Sequence, residues 1–537
     1  MTTTSGEARP SLRKDRAGPP FRRLLIANRG EIAVRIIRTC RDLGVETVAV
    51  YSDADVGALH VELADAAVRL GPAPAGESYL RADAVVAAAR DSGAEAIHPG
   101  YGFLSERASF ARAVSDAGLV FIGPSADAID ALGDKLAARR TAQAHGVPVV
   151  PGTFEPAPVD RPGDIDAIVA EAKRIRFPLL VKASAGGGGR GMRRVESARD
   201  LPAALAAGSA EARAAFGDGA VYLEREVRPA RHIEVQLLGD HDGTIVALGE
   251  RDCSIQRRHQ KLVEETPAPG LRAEERANLH AMAVVAARAA KLHNAATAEF
   301  LFDTDRRFSF LEVNARLQVE HGVTELVTDL DLVAEQLWIA AGHPLSDAVL
   351  RAGDAAATPT RHAIEVRLAA EDPARDFAPV PGRIASWAMP SGPGVRVDTA
   401  VRPGERVPPD YDPMIAKIMT TGADRVEAIT RMRRALDEVE VTGIQTTLPF
   451  DRALVRDPAF VAGDDLSTEW VDRRWDGPAD RATAYRRAAE IAAAAVLVAS
   501  PVSDEASSHE TSLRKDDDLG GPWREAGRQA GIDRWPR

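Results

Sequence analysis

The chain reads as an α/β protein that opens on a doubly wound, Rossmann-like sheet and runs on into mixed and β-rich domains. Three observations predict this. The segment RRLLIANRGEIAVRIIRTCRDLGVETVAVYSDAD, from Arg22, passes from a short apolar run through a Gly-bearing turn and a helical-period stretch to a second apolar run, which is one βαβ unit. The length, 537 residues, exceeds what a single core organises and implies two to four domains. From about His362 to Leu466 the sequence turns rich in Pro, Gly and short strand signals.

In order, LLIA and TVAVYS are strands, and EIAVRIIRTCRDLG is a helix stopping at Gly44. No G-x-G-x-x-G follows the first strand, so a dinucleotide fingerprint is absent. AEAIH is a strand leading into HPGYGFLSE, His98 to Glu106, a tight turn by its Pro and Gly. A new unit starts near Asp134 with the helix DKLAARRTAQAHG. Strands follow at FPLLVKAS, VYLEREV, HIEVQLLGD and GTIVALGERD, then an Ala-rich helix over about 272–293. FLEVNARLQVEH, Phe310 to His321, reads as a strand, and a helix is expected from Leu326 to about Ala341. HAIEVRLAA opens the third region. From Asp472 the character changes to an Ala-rich helix over about 481–499, a polar stretch expected to be disordered, and an end carrying Trp523 and Trp535. Those tryptophans fit either partner anchors or a tail packed on its own domain. No internal repeat is seen.

Composition excludes several function classes. A net charge of −11 and the lack of any DNA- or RNA-binding motif argue against nucleic acid. No run of about 18 apolar residues predicts a membrane span. Residues 1–20 have no apolar core, so they read as a disordered leader rather than a secretory signal. Cys40 and Cys253, far apart, form no disulfide framework, as expected of a cytoplasmic protein. Only eight of the 68 basic residues are Lys; Lys135, Lys182 and Lys261 lie in the segments that carry chemistry.

Four segments carry it. On a strand, FLEVNARLQVEH puts Glu312, Asn314, Arg316, Gln318 and Glu320 on one face. The first two offer oxygens to a hard divalent cation, Arg316 can grip a planar anion with two parallel hydrogen bonds, and Glu320 can act as a base beside it. KASAGGGGRGM, Lys182 to Met192, lets backbone N–H groups approach phosphate oxygens while Lys182 neutralises them; it is not a P-loop, since G-x-x-x-x-G-K-[ST] is absent. RDCSIQRRHQK concentrates positive charge in an acidic chain, with His259 and Lys261 sharing a face if extended. Glu299 precedes Glu312 by one hairpin turn, DTDRR, and two close carboxylates repel unless a proton or Mg²⁺ joins them.

These motifs, with LIANRGEIAVRIIR and HAIEVRLAAEDP and in this order from about Arg22 to Trp470, resemble the biotin carboxylase family of ATP-grasp ligases. The resemblance implies an N-terminal domain over 21–132, an ATP-grasp domain over 133–343 with a mobile lid at about 152–228 that holds Gly186 to Gly189, a β-rich C-terminal domain over 360–470, and a helical or disordered tail over 471–537. It implies ATP-dependent carboxylation of biotin N1′ by bicarbonate through carboxyphosphate, with Mg²⁺ or Mn²⁺. Lys135, Lys182, Gly187, Gly188, Gly189, Glu224, Val227, His232, Gln256 and His259 look like ATP contacts. Glu299, Glu312 and Asn314 look like the metal site. Lys261, Arg316, Gln318 and the Val319 backbone resemble the bicarbonate site, with Glu320 as base and Arg367 beside the biotin enolate.

Two departures stand out. Ala315 takes the place of the commoner Thr. Gly322 takes the place of the commoner Pro and is similar to the urea carboxylases, which leaves a urea-type acceptor open beside an acyl-CoA one. Another ATP-grasp ligase is the remaining enzymatic alternative, and QRRHQK with HAIEVR argue against it. No A-M-K-M biotinylation motif occurs, and Lys515, the sole Lys after Lys417, sits in SLRKDDD. The expected partners are therefore a separate biotin carboxyl carrier protein and a carboxyltransferase, with homodimerisation expected from the family.

Overall fold

The computed structural model describes residues 18–157, 162–184 and 192–499. The chain divides into two compact units. One comprises the residues up to Asp252 together with Leu271–Pro359; the other comprises Cys253–Gly270 and the residues from Thr360 onward.

The first unit opens on β1 (Arg23–Ile26), α1 (Gly30–Leu43), β2 (Glu46–Ser52), β3 (Ala66–Gly71), β4 (Ala96–His98) and β5 (Val120–Phe121). The strands form a parallel sheet in the order β3-β2-β1-β4-β5, the doubly wound arrangement expected. Ile32, Ala33, Ile36, Ile37, Cys40 and Leu43 recur at helical spacing and are buried along α1. Gly44 ends the helix at φ +75°, its N–H reaching the Arg41 carbonyl. The loop after β4 is pinned from β1's side, because Asn28 Nδ2 donates to the Pro99 and Tyr101 carbonyls at 2.7 Å each. Gly100, at φ +61°, must stay Gly there, since a Cβ would sit 2.9 Å from Asn28 Nδ2.

Further along this unit, Leu179–Ala183 lies between Arg193–Val195 and Val221–Arg225 in a small antiparallel sheet. Leu179, Val181 and Ala183 alternate inward toward a core with Ile168, Leu205 and Leu223, so Lys182 falls on the opposite face. A second antiparallel group runs Phe308–Asn314, Asn294–Asp303, Ala230–Gly239 and the first half of Ile245–Arg257. The hairpin at DTDRR forms as read, and Glu299 stands opposite Glu312 in the ladder.

Several element readings need correction. The strand ends at Asn314, not at His321; residues 315–320 are a loop, and Glu320 is the N-cap position of the helix His321–Thr328. Alternation shows which side chains share a face, but only a partner strand sustains a ladder, and the pairing with Asn294–Asp303 stops at Thr297 opposite Asn314. The single helix expected over 326–341 is two, His321–Thr328 and Leu332–Ala340. Asp329 breaks them apart at φ +57°, and the Asp331 carboxylate caps the second by accepting from Ala334 N–H. The Ala-rich helix is Ala273–Ala289.

In the second unit Gln260–Thr266, His362–Ala369, Met414–Gly422 and Val395–Thr399 make an antiparallel sheet in that order. The helix Arg425–Glu438 packs Ile429, Met432 and Leu436 onto it, against Ile364, Val366, Leu368 and Ile418. Arg258 and His259 form the turn before Gln260–Thr266, both at positive φ (51° and 65°). His259 and Lys261 therefore do not share an extended run. The last described helix, Gly477–Ala499, is tied at its start by Trp475 Nε1 donating to the Pro373 carbonyl at 3.0 Å and by the Arg481–Asp372 ion pair. None of the described helices is long and apolar enough to cross a membrane.

Candidate active site

The facing carboxylates of Glu299 and Glu312 are the centre of the first unit's polar cluster. Glu299 Oε1 accepts from Asn314 Nδ2 at 2.8 Å, and its other oxygen lies 3.0 Å from His232 Nε2. Lys135, the first residue of the helix Lys135–Ala144, reaches Glu312 Oε2 with its ammonium at 2.6 Å. Burial opposes that charge, yet the carboxylates of Glu312, Glu224 and Glu299 outweigh it and hold the Lys135 pKa above its ordinary value.

Glu224 is buried and shared between Lys182 and Arg139. Burial alone would raise its pKa; Lys182, Arg139 and Lys135 bring it below the usual range, so it is an anion in the fold. Val227 is half-buried in the extended link between Val221–Arg225 and Ala230–Gly239.

Arg316 extends the cluster. Its Nη1 donates to Gln318 Oε1 at 2.9 Å, its Nη2 lies 3.4 Å from Asn314 Oδ1, and its Nε sits 2.9 Å from Glu106 Oε2. Burial works against the guanidinium charge; Glu106, Glu320 and Glu299 more than compensate and raise its pKa. Glu320 is fully buried. Gln318 is buried too, and its Nε2 donor has no hydrogen-bond partner among the described residues. A buried N–H without an acceptor is costly, which fits a place built for an anion's oxygen. Val319 is half-buried between Gln318 and Glu320.

Unit one thus gathers Lys135, Lys182, Glu224, His232, Glu299, Glu312, Asn314, Arg316, Gln318 and Glu320 into a set of groups linked by contacts and, for Glu224 and Glu320, by their charge on Lys135 and Arg316. Glu312, Asn314 and Arg316 remain neighbours despite the broken strand, because the loop turns the later groups back onto the strand's end. Gly187, Gly188 and Gly189 lie outside the described residues. The carboxylates suit a hard divalent ion: Glu299 and Glu312 face each other with oxygens turned into the cluster, and a Lys ammonium already balances one of them.

Gln256, His259, Lys261 and Arg367 belong to the second unit. Gln256 Nε2 donates to the Cys253 carbonyl at 2.8 Å, and His259 is exposed at its turn. Lys261 lies on the Gln260–Thr266 strand, three residues before Glu264. Glu264 is fully buried, and its Oε1 accepts from Arg367 Nε at 2.7 Å and Nη2 at 2.5 Å. That two-donor grip orients the guanidinium plane.

Sequence reasoning assigned no role to Glu106, Arg139 or Glu264. Glu106 ends the quoted HPGYGFLSE motif, and its acid beside an anion-binding Arg had no signal without the fold. Arg139 was within reach: it lies four residues after Lys135 on one helix, hence on the same face.

Comparison with known proteins identifies the family through three domain models. The model of the biotin carboxylase N-terminal domain fits residues 20–129, that of the carbamoyl-phosphate synthase L chain ATP-binding domain fits 134–348, and that of the biotin carboxylase C-terminal domain fits 365–473. The biotin carboxylase of Nostoc sp. is 47% identical over 454 residues, 84% of this chain and 98% of that one. The chain belongs to the biotin carboxylase family. A Campylobacter jejuni biotin carboxylase solved as a complex with β-γ-ATP has a TM-score of 0.80 and 42% identity over 84% of this chain and 99% of that one. The biotin carboxylase domain dimer of Hydrogenobacter thermophilus 2-oxoglutarate carboxylase, solved with MgADP, ADP and bicarbonate, has a TM-score of 0.79 at 40% identity, covering 84% and 97%. Biotin carboxylases are ATP-dependent ligases.

Proposed function

We propose that this chain is the biotin carboxylase subunit of an acyl-CoA carboxylase, transferring a carboxyl group from bicarbonate to N1′ of biotin at the expense of ATP. The observation that carries this reading is the surroundings of Arg316: a guanidinium held by Glu106 and Gln318, an idle amide donor on Gln318, and the buried Glu320 carboxylate close enough to act on its charge. Bicarbonate is a poor nucleophile, so a group that removes its proton and one that orients its oxygens are both needed. Glu320 takes the proton; Arg316, Gln318, the Val319 backbone and Lys261 hold the oxygens.

Lys135, Lys182, Glu224, Val227, His232, Gln256 and His259 contact the nucleotide, with Gly187, Gly188 and Gly189 over its phosphates. Glu299, Glu312 and Asn314 would hold Mg²⁺, which supplies charge neutralisation at the phosphates. Carboxyphosphate decomposes in water, so a lid over about 152–228 that excludes solvent accords with the chemistry. Arg367, oriented by Glu264, stabilises the oxyanion that develops when biotin loses its N–H.

The domains are assigned as 21–132, 133–343 and 360–470, with 471–537 as an added tail. The biotin comes on a separate carrier protein and leaves to a separate carboxyltransferase, in the cytoplasm, and the subunit works as a homodimer. Support for the dimer is the dimeric relative. ATP hydrolysis by the full chain, measured with and without bicarbonate and free biotin, tests the reading. Turnover that depends on bicarbonate and rises with biotin is expected; hydrolysis indifferent to both would overturn it.

A further inference from the structure

The strand His362–Ala369 has a neighbour on each side, but not along its whole length. The ladder with Gln260–Thr266 runs only from Thr266 opposite Ala363 to Val263 opposite Val366. On the other side the register with Met414–Gly422 slips between Leu368 and Ala369. At Arg367 the strand therefore keeps Lys417 opposite it on one side but has lost its Gln260–Thr266 neighbour on the other, and the register slips two residues later.

One side chain fills the gap. Thr447 Oγ1 lies 3.1 Å from the Arg367 carbonyl and 3.1 Å from the Ala369 N–H, and Thr447 N–H donates to the Ala369 carbonyl at 3.1 Å. The Arg367 carbonyl and the Ala369 N–H and carbonyl are groups that a continuing antiparallel neighbour would pair. A single threonine stands in for the missing strand.

Its hydroxyl has a third neighbour, Asp451 Oδ2, also at 3.1 Å, on the helix Leu448–Leu454. Thr447 and Asp451 are both fully buried. A hydroxyl carries one proton and two lone pairs. The Arg367 carbonyl and an ionised Asp451 carboxylate would compete for that single proton, while the Ala369 N–H takes one lone pair; a protonated Asp451 removes the competition and leaves the hydroxyl proton to the carbonyl. The contact with Asp451 is then a hydrogen bond in which the carboxyl donates its proton into the second lone pair. Burial and the nearby Glu371 carboxylate push the Asp451 pKa well up, in keeping with that count.

We propose that Thr447 and a protonated Asp451 are positioning residues that lock the backbone under Arg367, and so fix where its guanidinium meets the biotin ureido group. This rests on the reading of Arg367 given above. Glu264 orients the guanidinium end; Thr447 and Asp451 anchor the backbone end.

The test is steady-state kinetics with free biotin, beside bicarbonate-dependent ATP hydrolysis measured without biotin. Thr447→Val removes the hydroxyl at constant shape, and Asp451→Leu removes the donor. Both are expected to raise KM for biotin, or cut biotin-dependent turnover, at least tenfold, and to leave biotin-independent hydrolysis within twofold. Thr447→Ser and Asp451→Asn keep a hydroxyl and a donor and are expected to restore near-parental biotin kinetics. Unchanged biotin kinetics in T447V, an equal fall of both activities, or D451N as damaged as D451L would each overturn the proposal. Should T447V not fold, T447A read against T447S makes the same comparison. Arg367→Ala separates the layers: if it keeps biotin carboxylation, the reading of Arg367 fails; if it loses carboxylation while T447V does not, only the positioning role fails.

Discussion

Replacing Glu371 by Gln should change the pH dependence of stability in a direction the structure fixes. Glu371 sits four residues past Arg367, in the short strand Glu371–Asp372 paired with Ala378–Pro379, and is 8% exposed. Burial, helped by Asp412, raises its pKa from 4.5 to about 7. A carboxyl with a raised pKa binds its proton more tightly folded than unfolded. Below pH 4.5 both states are protonated and nothing is lost. Between 4.5 and 7 the unfolded chain ionises while the folded one does not, so stability falls as pH rises, and above 7 the loss levels off. At 1.36 kcal/mol per pKa unit the full loss is about 3 kcal/mol. A Gln carries no such linkage and resembles the neutral acid. Urea unfolding of both proteins, followed by tryptophan emission at pH 5, 6.5 and 8, should show E371Q gaining on the parent by roughly 2–3 kcal/mol from the low to the high end. A stability difference that stays flat across that range would refute the argument that this carboxyl is held protonated by its burial.

Other expectations concern the site itself. Glu320→Gln should lower bicarbonate-dependent turnover by about 10²–10⁴-fold, the usual worth of a positioned base, with nucleotide binding by calorimetry unchanged; near-normal turnover would move the base elsewhere. Glu106→Ala removes the ion pair beside Nε of Arg316 and should raise KM for bicarbonate by roughly threefold to tenfold, about 1 kcal/mol, while E106Q, whose neutral amide cannot replace the charge, recovers little of it. Glu224→Gln leaves Arg139 and Lys182 without their shared anion; a stability loss of about 3–5 kcal/mol and weakened ATP binding are expected by denaturation and calorimetry. Removing residues 500–537 should abolish pull-down of a carrier or transferase if the Trp-bearing end is an anchor, and unchanged pull-down removes that role.

How much was legible in the sequence differs by element, for physical reasons. The βαβ opening was readable because α1's apolar positions recur at 3.6 and Gly44 marks its end, both local signals. The closeness of Glu299 and Glu312 was readable because a five-residue turn joins their strands, but the exact pairing was not: a register shift between Glu299 and Phe300 sets Glu299 opposite Glu312, where the turn alone would have put Leu311. The end of the strand at Asn314 was not, because polar–apolar alternation persists through residues 315–320 although no partner strand continues beside them. Nor were the acids at Glu106 and Glu264, since each finds its arginine across a long stretch of chain, 210 residues to Arg316 and 103 to Arg367. Pairings of that kind follow from topology rather than from any local pattern.

Both arginines proposed to handle anions carry an acid beside their guanidinium: Glu106 as an ion pair 2.9 Å from Nε of Arg316, without hydrogen-bond geometry, and Glu264 hydrogen-bonded at Nε and Nη2 of Arg367. An unpaired guanidinium would bind bicarbonate or an enolate more strongly as a bare charge, so the acids look wasteful at first. Buried without a counter-ion, however, each would be costly to fold and free to rotate. Glu264, bonded to Nε and Nη2, fixes the plane of the Arg367 fork, and Gln318 steadies Arg316 at Nη1, so what remains to the reacting anion is direction. Catalysis rewards stabilisation present only in the transition state, and fixed direction supplies that where raw charge tightens ground-state binding equally. Glu264→Gln should therefore hold the Arg367 plane with a neutral acceptor and cost less in biotin turnover than Glu264→Ala, which leaves the guanidinium unheld. If E264A turned over biotin as fast as E264Q, orientation would not be what the acid supplies.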